Sequence, residues 1–159
     1  PRYARREQTE HRQAQGGYEM STWVISCNPV KTYNVEASLQ ANGQLDWVTN
    51  NKFKLGDIVY VYEVIPPNGR GGIIYKLEVA ADDITMATKI DDRKFWAGGV
   101  YPSDLDSYSQ IFRLKIVGEA EDGVIPLARL KKRGFTAPQI AYTLDSNIPL
   151  IEYIEDYIV

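Results

Sequence analysis

The stretch from Ile58 to Ala80 constrains the fold more than any other part of the chain. Ile58-Val59-Tyr60-Val61-Tyr62-Glu63-Val64 is a β-branched and aromatic run, the composition that fits a pleated, half-buried strand. Pro66-Pro67-Asn68-Gly69-Arg70-Gly71-Gly72 is made of turn residues and must be a loop. Ile73 to Ala80 then returns as the antiparallel partner, so the two runs form a wide hairpin. Side chains alternate along a strand, which sends Tyr60 and Tyr62 to one face and Val59, Val61 and Glu63 to the other.

The other elements are read around that hairpin. Thr22-Trp23-Val24-Ile25-Ser26-Cys27 is apolar on both faces, as a central strand is, and Asn28-Pro29 ends it. Asn34 offers an N-cap for a short helix, Val35 to Ala41, with Val35 and Leu39 on one face and Asn42-Gly43 closing it. Leu45 to Val48 is a short extended piece, followed by a polar turn from Thr49 to Lys52, and Lys54 to Asp57 is a turn feeding the hairpin. Residues 82–109 read as irregular and carry Phe95-Trp96 and Tyr101, after which Gln110 to Val117 alternates cleanly as a strand. Pro126 opens a short helix to Arg133, stopped by Gly134. Asn147 to Ile158 is a last helix, with Leu150, Ile151, Ile154 and Ile158 on one face. The class is α+β: a curved, mainly antiparallel sheet with short flanking helices.

Composition narrows the chemistry. A chain of 159 residues suits one domain. Residues 1–19 hold four Arg, three Glu and three Gln with almost no large apolar residue, too little to offset the entropy of ordering. They read as a disordered tail, a linker or an artificial remnant, with Met20 as the native start and 20–159 as a single domain. They contain no apolar signal core, and no run of about 18 apolar residues occurs anywhere, so the expected location is cytoplasmic, with no membrane partner. One cysteine, Cys27, and one histidine, His11, exclude an internal disulfide, a zinc cluster and imidazole-based triads. The carboxylate pairs Asp82-Asp83 and Asp91-Asp92 fall in polar turns and read as solvated rather than metal-binding. No catalytic residue, cofactor or metal is expected. Net charge is −3, and residues 20–159 carry 14 Lys and Arg against 18 Asp and Glu, so this is no basic nucleic-acid glue. Eleven Tyr and three Trp against four Phe favour rings with polar edges, which suit a half-wet surface or pocket.

Trp23 to Pro29, then Asp46-Trp47, then Leu55-Gly56-Asp57-Ile58-Val59-Tyr60-Val61-Tyr62 resemble the EVE-type branch of the PUA-like superfamily. The nearest likeness is to EVE-like domains attached to HNH nucleases and other modification-dependent restriction systems. Leu130 to Gly134, Ala137-Pro138-Gln139 and the Leu/Ile/Tyr-rich last helix extend the resemblance over nearly the whole chain from Met20. It implies a small PUA-like pseudo-barrel that binds modified or unusual bases flipped out of a strand. Related YTH domains hold methylated adenine in an aromatic cage, and SRA-type relatives hold a modified cytosine.

Under that resemblance Trp47 matches a cage position, and Ser26, Cys27 and Asn28 fall in the segment that faces the pocket. Gln139 matches a position close to its mouth. Each has a plainer alternative: a core tryptophan for Trp47, and a turn opener for Asn28. Trp96, a large ring in an irregular segment near Gly98-Gly99, is either a second stacking ring or packing against the sheet edge. Asp46 can accept from an exocyclic amine or do nothing as an exposed carboxylate. Tyr62 lines the pocket or fills the barrel. For phosphates the chain offers Arg129, Lys131, Lys132 and Arg133, which otherwise form a solvated helix face, and Arg70 in the glycine-rich loop.

Three functions follow for comparison. The first is a module that reads a modified base, more readily in DNA than in RNA, and directs a nuclease or motor partner in defence against foreign DNA. The second is an enzyme acting on a base, which the missing chemistry disfavours. The third is a non-catalytic protein-interaction or regulatory domain.

Overall fold

The computed structural model describes residues 20–108 and 110–159. The readings made for residues 1–19, including His11, lie outside the described residues. Six strands form one sheet: β1 (Thr22–Cys27), β2 (Gln44–Thr49), β3 (Ile58–Glu63), β4 (Gly72–Ala81), β5 (Gln110–Glu119) and β6 (Tyr142–Thr143). Their order is β2-β5-β4-β3-β1-β6. β1 runs parallel to β3, with Trp23 beside Val59 and Cys27 beside Glu63, and every other pairing is antiparallel. The expected hairpin is the β3–β4 pair, whose loop holds a cis Pro66-Pro67 peptide bond.

The sheet curls. Register shifts break the ladders at Val61/Tyr62, Lys76/Leu77 and Val79/Ala81, and such bulges bend strands. In a flat sheet β1 and β5, three places apart, stand about 14 Å from one another. Here the ring of Phe53 lies 4.9 Å from Trp23 on β1 and 5.3 Å from Phe112 on β5, bridging the curve. The result is the PUA-like half-barrel with short helices.

Two cores follow from the alternation of side chains. The concave core gathers Ile25, Cys27, Val59, Val61, Leu77, Val79, Phe112 and Leu114. It is closed by Val35 and Leu39 of α1 (Val35–Asn42). The convex core gathers Val24, Tyr60, Tyr62 and Ile73 under Leu130 of α2 (Leu127–Lys131) and Leu150, Ile151 and Ile154 of α3 (Ile148–Tyr157). Tyr60 and Tyr62 thus do face away from Val59 and Val61.

The helix ends carry the caps their residues announce. Asn34 Oδ1 accepts from the Ala37 N–H at 3.0 Å, and Gly43, at φ 72°, closes α1 in the left-handed conformation that glycine adopts freely. Asn147 caps α3 from the Leu150 N–H at 3.2 Å and donates through Nδ2 to the Arg133 carbonyl at 2.8 Å. α2 is shorter than expected, ending at Lys131, with Gly134 at φ 86° two residues past its C-cap. Two further features differ from the sequence reading. Strand β6 is only two residues long and shows no periodicity to read. The irregular segment contains single 3-10 turns at Arg93–Phe95, Ala97–Gly99 and Leu105–Ser107.

Candidate functional site

Three rings meet at the rim of the concave face. Tyr33 lies on the loop between β1 and α1. Its ring centroid is 4.7 Å from Trp96 and 6.4 Å from Trp47, the latter edge-on at 68°. Trp47 reaches this point because β2 places it beside Phe112, on the face opposite Asp46 and Arg113. Trp96 reaches it because its segment is stitched to the Tyr33 loop by the backbone. The Asn34 N–H donates to the Phe95 carbonyl at 2.9 Å, and the Ala97 N–H donates to the Thr32 carbonyl at 2.8 Å. Tyr33 is buried, whereas both tryptophans stay partly exposed, so the cluster has a fixed floor and accessible flanks.

A buried polar network holds that floor. The Tyr33 hydroxyl donates to Asp92 Oδ2 at 2.8 Å and lies 2.7 Å from Ser38 Oγ on α1. Burial pushes the Tyr33 hydroxyl far above the ordinary tyrosine range. Lys89 Nζ meets Asp92 Oδ1 at 2.5 Å, with both side chains only 2% exposed, and sits 4.7 Å over the Tyr101 ring. The Asp92 N–H donates to the Tyr101 hydroxyl at 3.3 Å. Asp92 is therefore not a solvated turn acid: a lysine three residues back and two tyrosines enclose it. Asp91 remains exposed, pairing with Arg93 at 2.7 Å, which holds its carboxyl down at about 2. Amid these partnered groups the buried Trp96 Nε1 has no hydrogen-bond partner among the described residues.

The other sequence candidates distribute around this cluster. Asp46 lies on the opposite face, where Arg113 grips it with Nε at 2.8 Å and Nη2 at 2.9 Å. It also accepts the Ile90 N–H at 2.8 Å. It is thus not the exposed carboxylate of the sequence reading; its acceptors are filled, and it ties the 82–92 segment across the edge strand β2. Cys27 is buried on the concave side, where burial, and secondly the Glu63 carboxylate, push its thiol up to about 12. Asn28 opens the turn after β1, its Oδ1 accepting the N–H groups of Val30 at 3.1 Å and Lys31 at 2.9 Å. Ser26 and Tyr62 are paired neighbours on the convex face, and Tyr62 packs 5.5 Å from Phe135. They do not join the Trp47 cluster. Gln139 is exposed in the loop leading to β6, which runs antiparallel along β1.

The cations also divide. Arg129, Lys131, Lys132 and Arg133 are exposed around α2, while Leu130 is buried beneath them. The Arg133 guanidinium lies 3.9 Å over the Tyr153 ring and donates through Nη1 to the Arg129 carbonyl. Arg70 corrects the sequence reading. It does not offer a free guanidinium to phosphate but pairs with Glu36 at 2.5 Å, Glu63 at 3.1 Å and Asp122 at 2.5 Å. It pins the hairpin loop to α1 and to the turn before α2.

The sequence reading passes over Tyr33 and Lys89 and notes Asp92 and Tyr101 only as a turn acid and a loop ring, because their partnership depends on the fold. A signal was present only in Tyr33, a large ring directly before a helix cap.

No protein-family model and no curated protein matches the chain. Solved structures do. A protein from Leishmania major, described as hypothetical, aligns over 87% of this chain and 96% of its own at 16% identity with a TM-score of 0.55. The ASCH protein of Zymomonas mobilis aligns over 87% of this chain and 96% of its own at 14% identity with a TM-score of 0.52. At these identities the likeness is one of fold: the chain shares the curled half-barrel of these structures. The Zymomonas mobilis neighbour is an ASCH protein and neither is an EVE domain by its description, so the narrower EVE resemblance rests on the sequence motifs alone.

Proposed function

We propose that this chain is a nucleic-acid-binding specificity module, kin to EVE-type domains, that takes a modified base flipped out of its strand against Trp47 and Trp96. The observation that supports this reading is the three-ring cluster: two half-exposed tryptophans set around a buried tyrosine whose position a buried ion pair fixes. A base needs a π-face and a few polar groups at its edge, and stacking on one ring contributes about 1–3 kcal/mol. Trp96 Nε1, buried and without a partner among the described residues, is the ring's one unspent donor.

The rings favour shape over charge, so a methyl or hydroxymethyl group is accommodated rather than demanded. A single methylene is worth about 10- to 200-fold in selectivity. The exposed cations of α2 supply phosphate contacts at about 0.9 units of log–log salt slope for each phosphate neutralised. In this reading the domain recognises, and a nuclease or motor supplied by a partner or a fused domain cuts, in defence against foreign DNA.

Binding is measured by quenching of the intrinsic tryptophan fluorescence. The probes are oligonucleotides carrying 5-methylcytosine, 5-hydroxymethylcytosine or N6-methyladenine beside unmodified controls, as single- and double-stranded DNA and as RNA. The reading expects saturable quenching that is strongest for a modified DNA probe. The absence of binding to any of them at low salt would leave a protein-interaction domain as the better account.

A further inference from the structure

One end of the sheet carries more exposed apolar surface than folding explains. β1 and β3 run parallel and finish side by side, with the Val64 N–H donating to the Cys27 carbonyl at 3.1 Å. β6 lies antiparallel to β1, so the chain entering it arrives at the same end. The loops there expose Val30 to 61%, Ile65 to 56% and Ile140 to 79%. Single exposed apolar residues are ordinary on any surface. Three on loops at the same end of the sheet, one of them followed by exposed Pro66-Pro67, give that end apolar tips suited to a partner.

The surroundings indicate what the partner is. Lys31 follows Val30 and is exposed. A Cβ on Gly71 would touch Ile65, and the Gly71 carbonyl accepts the Leu127 N–H of α2 at 2.8 Å, which sets the basic α2 turn beside the Ile65 loop. Lys31, Arg129, Lys131 and Lys132 have no ion-pair partner among the described residues, in contrast to the triply paired Arg70. Unspent positive charge beside apolar tips complements a polyanion with an apolar interior. A lipid surface shares that description, but the loop bearing Val30 continues directly into Tyr33, the floor of the ring cluster. Contiguity of wedge and pocket is what base extrusion requires and what a lipid does not.

We propose that Val30, Ile65 and Ile140 form an apolar wedge that enters the base stack of a double-stranded nucleic acid, with Lys31, Arg129 and Lys132 on the flanking phosphates. The proposal rests on the reading above and deepens it, because it makes the duplex the substrate. Apolar side chains inserted between base steps unstack them and kink the helix, and the vacated stack is filled while the base sits elsewhere. A single strand has no stack to open, so the wedge contributes little to it.

The test compares the wild-type protein with the Val30→Ser/Ile65→Ser/Ile140→Ser triple variant, whose exposed positions leave both cores intact. The probe is a 20-base-pair duplex with 5-methylcytosine, 5-hydroxymethylcytosine or N6-methyladenine, a 2-aminopurine beside the modified base, and the same modified strand alone. The wedge predicts a duplex affinity about 10- to 100-fold weaker, from a few kcal/mol per opened step. It also predicts loss of the 2-aminopurine fluorescence rise and single-strand affinity within about twofold of wild type. Wild-type duplex affinity and wild-type 2-aminopurine signal in the triple variant would overturn the wedge. So would an effect confined to binding of anionic phosphatidylserine vesicles. Trp47→Ala, measured alongside, separates the two levels. If it weakens binding while the triple variant does not, only the wedge fails; if wild type binds neither form of any probe, the pocket reading fails with it.

Discussion

Asp46 and Trp47 are adjacent in sequence and opposite in role, because consecutive strand residues face opposite sides of the sheet. Asp46, fully buried at its side chain, braces Arg113 and the 82–92 segment. Asp46→Ala leaves Arg113 unpaired and the Ile90 N–H without its acceptor. Arg113 is partly exposed, so the expected loss is about 2 kcal/mol, below that of a fully buried pair, read as a lower midpoint in urea unfolding. Cys27 gives a second expectation. With its thiol pushed up to about 12, the folded state holds a proton that the unfolded state, titrating near 8.5, has released. Cys27 therefore contributes stability that is complete below about pH 8.5 and is lost as pH rises toward 12; burial gives Tyr33 the same sign. Thermal midpoints should fall over that window. At pH 8 the native thiolate fraction is about a thousandfold below that of the unfolded chain, so iodoacetamide should label Cys27 rapidly only in denaturant.

At the scale of elements, the strands and helix caps were legible because each depends on a handful of neighbouring residues. Asn34 and Gly43 state the bounds of α1 within ten positions, and the alternation of Gln110 to Val117 needs no distant partner. β6 was not legible: it exists as a strand only because β1 lies beside it. The buried Lys89–Asp92 pair was hidden for a related reason, since a segment of turn residues reads as solvated until the fold wraps it around the edge of β2. Gly72 marks a junction the sequence presented only as loop. A Cβ there would collide with the Ile125 carbonyl oxygen, where β4 bridges the approach to α2. Backbone cannot step aside as a side chain can. Gly72→Ala should therefore cost about 1–3 kcal/mol, the range for overpacking, and displace the basic α2 turn. Both effects are checked by urea unfolding and by amide exchange in residues 125–131.

Over the whole molecule, the sheet distributes onto two faces the candidate residues that the sequence alone had merged into one pocket. The concave rim holds Trp47, Tyr33 and Trp96, whereas Tyr62 belongs to the convex core with Phe135 and Ser26 lies beside it on that face. Exposed cations gather around α2 on that second side, and the loops at the ends of β1 and β3 join the two. The half-barrel was foreseeable from strand patterning and motif resemblance; the division of candidates between its faces was not. It depends on register, which a one-residue slip would invert. The net charge of −3 fits the proposed function, in which affinity comes from the ring cluster and a few local cations rather than from a general positive field.

The central claim is that Trp47 stacks the bound base. Trp47→Ala and Trp47→Phe, each confirmed folded by circular dichroism, are titrated with the modified duplex and scored by its fluorescence anisotropy. The account predicts that alanine weakens binding about 5- to 150-fold, the value of one lost stacking ring, and that phenylalanine recovers part of it. A folded Trp47→Ala protein that binds the duplex with wild-type affinity would contradict the account.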